Sequence, residues 1–115
     1  MIKRKGSFAQ ERVDRMRDGD GYVTVERLLT PQELYEKGRL YAILTLEPGS
    51  SIGYHLHEGE MESFYVAGGE AEYIDGDETV TLLPGDVTLT LSGEGHSVKS
   101  IGAAPLVLVA QILYK

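Results

Sequence analysis

The sequence predicts an all-β domain, either a sandwich or a barrel of short strands. From residue 39 onward, apolar and polar residues alternate with a period of two, as in a strand with one buried face. Strand-like runs recur at a spacing of roughly eight to twelve residues, with glycine and proline between them. The chain has 14 glycines to serve such turns. Short strands joined in this way are typical of sandwiches and barrels.

The N-terminal segment shows a weaker pattern than the rest. Residues 8–17 are predicted to form a short helical or irregular arm, which ends at the Asp- and Gly-rich turn 18–21. A strand is predicted over 22–25, because β-branched and aromatic residues follow one another there.

One helix is predicted, beginning at Thr30. Thr30 is a suitable N-cap, Pro31 suits the first helical position, and Glu33 can reach back to complete a capping box. Gly38 is expected to end the helix after about two turns.

The remainder of the chain is predicted to be strands and turns. Asp75 and Gly76 form a two-residue hairpin signal. The expected strands are 40–46, 52–57, 62–66, 70–74, 79–83, 87–91, 96–101 and 106–113.

Length and composition limit the number of domains, the possible metal ligands and the expected location of the protein. A chain of 115 residues is expected to form one domain, with a basic arm at 1–17 and a barrel core at 39–113. It has no cysteine, which excludes disulfides and thiolate ligands, so any metal must be held by imidazole and oxygen. No apolar run approaches a membrane span, and the basic start lacks the apolar segment of a signal peptide. A cytoplasmic location is expected.

Charge is distributed unevenly about the net value of −7. Residues 1–17 carry six of the eleven Lys and Arg, whereas the stretch 40–98 has none and carries eleven Asp and Glu. Such a stretch repels phosphate backbones, so nucleic-acid binding is not expected. Anionic substrates are usually held by Arg or Lys. A neutral or metal-chelating small molecule is therefore expected, and a sugar phosphate is disfavoured.

The three histidines and one glutamate are placed to converge. His55 and His57 are two residues apart in a predicted strand, so both imidazoles leave the same face of the sheet. Glu62 begins the next run and His96 begins a later one. Imidazole and carboxylate donors on neighbouring strands are common ligands of a divalent metal.

This spacing resembles the cupin family, in particular its small single-domain members. The first cupin motif is Gly, five residues, His-x-His, three or four residues, Glu, six residues and Gly. Gly49, His55, His57, Glu62 and Gly69 fill every position of it.

The second cupin motif is matched with two departures. It consists of Gly, five residues, Pro-x-Gly, two residues, His, three residues and Asn. Gly85, Gly93 and His96 match it, whereas Leu91 stands where Pro is usual and Ser100 where Asn is usual. Neither departure affects a family metal ligand, and Leu91 lies in the turn before His96.

The resemblance implies a fold, a cofactor and a class of activity. The fold would be a double-stranded β-helix, a jelly-roll barrel of two antiparallel sheets. His55, His57, Glu62 and His96 would hold one divalent transition metal per chain, either Mn, Fe, Ni, Zn or Co. Glu58 and Glu60 are alternative carboxylates, but only Glu62 keeps the family spacing.

Two functions are compatible with such a centre. The first is a metal-dependent enzyme on a small molecule, of the dioxygenase, isomerase or decarboxylase type. The second is a binding or sensor cupin without catalysis. No residue outside the ligands stands out as a general base. Polar side chains on predicted strands are candidates for the substrate pocket, namely Tyr41, Tyr73, Thr88, Thr90 and Gln111.

A homodimer is expected from the family and from the basic arm. The six cations of residues 1–17 would meet the acidic body of a second copy, and an N-terminal strand would cover an unpaired sheet edge.

Overall fold

The computed structural model describes residues 1–115 as two antiparallel β-sheets. A six-stranded sheet has the order β1-β2-β3-β10-β5-β8, and a four-stranded sheet has the order β4-β9-β6-β7. This confirms the predicted all-β class with two antiparallel sheets. The strands are β1 (Gln10–Asp14), β2 (Tyr22–Arg27), β3 (Gly38–Leu46), β4 (Ser51–Leu56), β5 (Glu60–Gly68), β6 (Ala71–Asp75), β7 (Glu78–Leu82), β8 (Val87–Thr90), β9 (Gly95–Ser100) and β10 (Leu106–Tyr114).

The core lies between the inner faces of the two sheets. Alternate residues of β3 and β10, such as Leu44, Leu46 and Leu108, point inward and are buried. The core cluster also includes Phe64 and, from the smaller sheet, Tyr73. Period-two alternation thus places one face of β3, β5 and β10 in the core, as the sequence pattern predicts.

The predicted helix after Thr30 is wrong, although its capping box forms. The Thr30 N–H donates to the Glu33 carboxylate at 2.9 Å, and the Glu33 N–H donates to Thr30 Oγ1 at 3.1 Å. Tyr35 and Glu36 then adopt left-handed φ values of 54° and 56°, so the chain leaves the helical path after one turn. Gly38 already belongs to β3, where a Cβ would collide with the Ile112 carbonyl oxygen. Strand pairing therefore overrides the local helix signal.

The only helical element is a 3₁₀ turn at Met16–Asp18. No helix in the structure is long and apolar enough to cross a membrane.

The N-terminal arm is a strand in part, where the residue pattern of 8–17 predicts a helical or irregular segment. Strand β1 pairs with β2 in register, with Val13 opposite Val23. The 3₁₀ turn that follows lies directly on β4, since a Cβ at Gly53 would collide with the Arg17 carbonyl oxygen. The arm therefore extends the six-stranded sheet of its own chain and closes one end of the space between the sheets.

Candidate metal centre

Three strands bring the three histidines and Glu62 together. His55 in β4 lies directly opposite His96 in β9, next to a register irregularity between Ile52 and His55. His57 follows β4, and Glu62 projects from the inner face of β5. His57, Glu62 and His96 are buried. The structure thus assembles the four residues that the sequence spacing singled out.

The donor atoms are spaced as ligands of one cation would be. Nε2 of His96 lies 3.1 Å from Nε2 of His57 and 3.2 Å from Nε2 of His55. Oε1 of Glu62 lies 3.0 Å from His57 Nε2 and 3.1 Å from His96 Nε2. Donors bound at right angles to a metal at roughly 2.1 Å lie roughly 3.0 Å apart. The group could therefore hold a metal ion.

The opposite ring nitrogens are held by other partners. Nδ1 of His55 donates to the Gly53 carbonyl at 2.8 Å, which leaves the Nε2 lone pair of a neutral ring free. Nδ1 of His57 lies 3.5 Å from the Glu60 carboxylate, and Nδ1 of His96 lies 2.7 Å from the Tyr73 hydroxyl. Such outer partners fix ring orientation at metal centres. All three Nε2 atoms are thus directed at one point before any ion binds.

Electrostatics in the cluster favour a cation. Burial alone would raise the pKa of Glu62, but hydrogen bonds with His57 and His96 outweigh it and lower this pKa to about 2. The hydrogen bond with Glu62 in turn raises the pKa of His57. Burial lowers the pKa of His55, which favours its neutral, ligating form. A divalent ion would meet an ionised Glu62 carboxylate at this point.

A cavity of about 220 Å³ adjoins the cluster. His55, His57 and Glu62 line its base. Its walls are mainly apolar and come from the six-stranded sheet, β4 and the 3₁₀ turn, through Met16, Val25, Leu40, Leu44, Ile52 and Ile112. The remaining lining residues are charged, namely Glu11, Arg17, Arg27 and Arg39.

The three arginines overturn the expectation that the centre lacks nearby cations. Arg17 comes from the 3₁₀ turn, Arg27 from the end of β2 and Arg39 from β3. The Lys- and Arg-free stretch 40–98 supplies all four residues of the metal cluster, but the first 39 residues supply the arginines and Glu11 of the cavity wall. Arg27 lies 3.8 Å from Glu11 and Arg39 lies 3.0 Å from Glu60, whereas Arg17 has no carboxylate within ion-pair distance.

The five predicted pocket residues do not line this cavity. Tyr73 and Thr90 are buried beside the cluster and contact Nδ1 of His96. Thr88 is buried in β8. Tyr41 and Gln111 pair across β3 and β10 and point away from the core, since their neighbours Ala42 and Ala110 point inward. Sequence reasoning missed the arginines and Glu11 because they reach the cluster only through tertiary structure, namely the pairing of β1, β2 and β3 and the packing of the 3₁₀ turn on β4.

The turn before His96 forms without the proline that the family motif has. The Leu91 N–H donates to the Glu94 carboxylate at 2.7 Å, and the Glu94 N–H donates to the Leu91 carbonyl at 3.0 Å. Gly93 adopts φ 89° and donates its N–H to the His57 carbonyl at 2.6 Å. This loop therefore ties the strand of His96 to the segment of His57.

Glu60 is expected to support the centre through His57. Its carboxylate accepts hydrogen bonds from Nε of Arg39 and also lies against His57 Nδ1. Replacing Glu60 with Gln should weaken metal affinity about tenfold, because a neutral amide orients and polarises the imidazole less well. Competition with a chromophoric chelator measures this loss. Glu58→Gln at a neighbouring exposed position is the matched control, and equal affinities for the two variants would contradict the role of Glu60.

Fold and centre together define a small double-sheet protein with a three-histidine, one-glutamate cluster. Residues 42–112 match the family described as "Cupin domain". The chain therefore belongs to the cupin family.

Relatives resemble the chain over its whole length. It is 40% identical over 113 residues to an oxalate-binding protein of Thermotoga maritima, covering 98% of this chain and 93% of that protein. The crystal structure of a predicted oxalate decarboxylase from the same organism has a TM-score of 0.96 at 39% identity, with 100% of both chains covered. KdgF from a Halomonas species has a TM-score of 0.78 at 15% identity, covering 100% of this chain and 96% of that one. The last likeness concerns the fold alone.

Proposed function

We propose that the protein binds one divalent transition metal at its histidine and glutamate cluster and captures a small chelating carboxylate there, with oxalate as the candidate. The observation that supports this proposal is that candidate metal ligands and arginines line the same cavity. His55, His57 and Glu62 line it together with Arg17, Arg27 and Arg39. A metal with open positions and a cationic wall both favour an anion with several oxygen donors.

Different residues would bind the metal and the anion. The four ligands would hold the metal, and on a six-coordinate ion they leave roughly two positions for oxygens of a ligand. The metal supplies Lewis acidity when bound. The arginines offset the charge of a dianion, while apolar side chains form much of the remaining wall beside the cluster. Imidazole and carboxylate donors suit Mn, Fe, Ni, Zn and Co alike, and elemental analysis of the purified protein identifies the bound metal.

The relatives support the same ligand. A protein 40% identical to this chain is called oxalate-binding, and a chain with a TM-score of 0.96 is called a predicted oxalate decarboxylase. Both descriptions name one dicarboxylate. The arginines provide an independent reason to extend that ligand to this chain.

Decarboxylation is a second candidate, because Glu11 also lines the cavity. Cleavage of the C–C bond of oxalate releases CO₂, and the remaining carbon must take up a proton to become formate. Glu11 is the only carboxyl group besides Glu62 among the lining residues, and no tyrosine, lysine or cysteine lines the cavity. Glu11 is exposed, and its carboxylate lies 3.8 Å from the Arg27 guanidinium. Oxalate binding without turnover is therefore our primary proposal.

Titration calorimetry with oxalate tests the proposal on metal-loaded and chelator-stripped protein. Saturable binding of one oxalate per chain is expected only in the loaded form, and formate should bind far more weakly because it offers one carboxylate. Loaded protein that fails to bind oxalate would overturn the proposal. Formate and CO₂ are assayed in the same samples. Release of both in equal amounts, lost on replacing Glu11 with Gln, would establish the second candidate instead.

A further inference from the structure

An apolar surface begins beside the metal cluster on the inner face of the larger sheet. Glu62 in β5 lies opposite Ile112 in β10, and Ile112 lies opposite Leu40 in β3. The three side chains therefore form one row across neighbouring strands, and all three line the cavity. Neighbouring strands lie about 4.8 Å apart, so the row extends roughly 10 Å from the strand of Glu62 to that of Leu40.

Residues from other elements extend this apolar surface around the cavity. Val25 in β2 lies opposite Leu44 in β3. Ile52 comes from β4 and Met16 from the 3₁₀ turn. We call the six apolar residues that line the cavity the apolar wall, which consists of Met16, Val25, Leu40, Leu44, Ile52 and Ile112. A ligand held at the cluster therefore has hydrocarbon surface beside it.

Oxalate alone makes no use of the apolar wall. Both of its carbon atoms belong to carboxylates, so it carries no hydrocarbon group that could pack against an apolar side chain. The cavity of about 220 Å³ has the volume of about seven waters at roughly 30 Å³ each. Oxalate has six non-hydrogen atoms, and bonded atoms lie closer together than separate waters do. It therefore leaves part of the cavity unfilled.

We infer that the cavity binds a chelating dicarboxylate that carries a short apolar side chain. The inference rests on the proposed metal and anion site. Two carboxylates on one carbon atom can chelate a metal ion, and that carbon can also carry a substituent. The carboxylates then lie at the histidine cluster, and the substituent lies on the apolar wall. Small-molecule sites commonly combine apolar walls with a few polar groups in this way.

The row through Glu62 gives the substituent one direction in which to extend. On one side Glu62 lies opposite Thr90, which is 0% exposed and whose Oγ1 lies 3.0 Å from Nδ1 of His96. That side is filled by the protein itself. On the other side lie Ile112 and then Leu40, and both line the cavity. The substituent therefore extends from the cluster along Ile112 toward Leu40.

The far end of this row favours an apolar group over a second carboxylate. Arg39 directly precedes Leu40, but its guanidinium group is already paired with Glu60. Nε of Arg39 lies 3.1 Å from both carboxylate oxygens of Glu60, and Nη2 lies 3.0 Å from one of them. A ligand carboxylate placed on the apolar wall would be desolvated without a free cation there, which is costly. Both carboxylates of the ligand therefore belong at the cluster.

Titration calorimetry of the metal-loaded full chain with oxalate, malonate, ethylmalonate and glutarate tests the inference. Malonate and ethylmalonate share one chelating group and differ only in the ethyl side chain. Burial of its two carbon atoms should make ethylmalonate bind about tenfold more tightly than malonate. Glutarate is an isomer of ethylmalonate whose apolar carbons lie between the carboxylates. It should bind more weakly than ethylmalonate, because it carries no side chain for the apolar wall.

Variants of the apolar wall locate the ethyl group. Leu40→Asn and, separately, Met16→Gln should bring the ratio of ethylmalonate to malonate affinity from about tenfold to near one, because a polar group replaces the apolar contact. Both residues pack at the edge of the core cluster, so the variants are expected to fold. Ile43→Asn is the matched control. Ile43 follows the inward Ala42 in β3 and points away from the cavity, so this variant should keep the tenfold ratio.

The outcomes separate this inference from the proposed function. Equal affinities for malonate and ethylmalonate, in loaded protein that binds oxalate, would overturn the inference and leave the proposed function in place. Loaded protein that binds none of the four ligands would overturn both. Glutarate that binds as tightly as ethylmalonate would show that a side chain is not recognised. A tenfold ratio that persists in both Leu40→Asn and Met16→Gln would place the ethyl group away from the apolar wall, which also contradicts the inference.

Discussion

Replacing His57 with Ala should remove most of the metal that the protein carries. The imidazole of His57 is 3% exposed, and its Nε2 lies 3.0–3.1 Å from the donor atoms of both Glu62 and His96. Without it, one ligand is missing and Glu62 loses a buried hydrogen-bond partner. Elemental analysis of protein purified without chelator should show about one transition metal per wild-type chain and less than about a tenth of that in the variant. We expect affinity to fall by more than about 100-fold, beyond the loss typical for an outer partner of a ligand.

A pair of glutamate variants controls this experiment. Glu62→Gln should lose metal as His57→Ala does, whereas Glu58→Gln should keep it, because Glu58 is exposed and belongs to no ligand group. All three proteins should give the circular dichroism of a folded β protein. Equal metal content in wild type, His57→Ala and Glu62→Gln would mean that the metal binds elsewhere or not at all.

Much of this centre could be predicted because its residues obey short-range rules. Two side chains at positions i and i+2 of a strand must leave the same face, so His55 and His57 were expected to act together. Glu62 and His96 followed from a family spacing that fixes how far apart the strands lie along the chain. The core strands were predictable for the same reason, since period two reports directly which face is buried.

The helix predicted after Thr30 shows that tertiary structure can override a local sequence signal. Thr30 and Glu33 make the capping box that the sequence predicted, so the local chemistry was interpreted correctly. A helix of two turns would have continued through Tyr35 and Glu36, which instead turn the chain into β3. Pairing of β3 with β2 and β10 instead places Ala42, Leu44 and Leu46 in the core.

The cavity could not be predicted because it combines distant parts of the chain. A stretch without Lys or Arg suggested a centre without cations, but charge along a sequence does not report charge in space. Strands β2 and β3 carry Arg27 and Arg39 to the cluster, and the 3₁₀ turn carries Arg17. Conversely, Tyr41 and Gln111 were plausible pocket residues until the register placed them on the outward side.

Neutralising two of the cavity arginines should weaken oxalate binding about 100-fold while leaving the metal in place. Arg17 faces the cavity without a carboxylate partner, and Arg27 has only a long contact of 3.8 Å with the exposed Glu11. Both guanidinium groups are therefore available to an anion held at the cluster. A hydrogen bond to a charged group contributes about 1.5 kcal/mol or more, so two such losses amount to about two orders of magnitude in Kd.

Calorimetry on metal-loaded Arg17→Gln/Arg27→Gln protein measures this loss, and Arg4→Gln/Arg15→Gln is the matched control. The control removes the same two charges from outside the cavity, and Arg15 shares with Arg17 the left-handed backbone of the 3₁₀ turn, at φ 49° and 54°. A general effect of net charge or of strain in this turn would therefore weaken both double variants alike. Equal affinities in the two would show that the arginines do not contact the ligand. A selective loss in the cavity variant, with one metal still bound per chain, would mean that the arginine wall recognises the anion and the histidine cluster holds the ion.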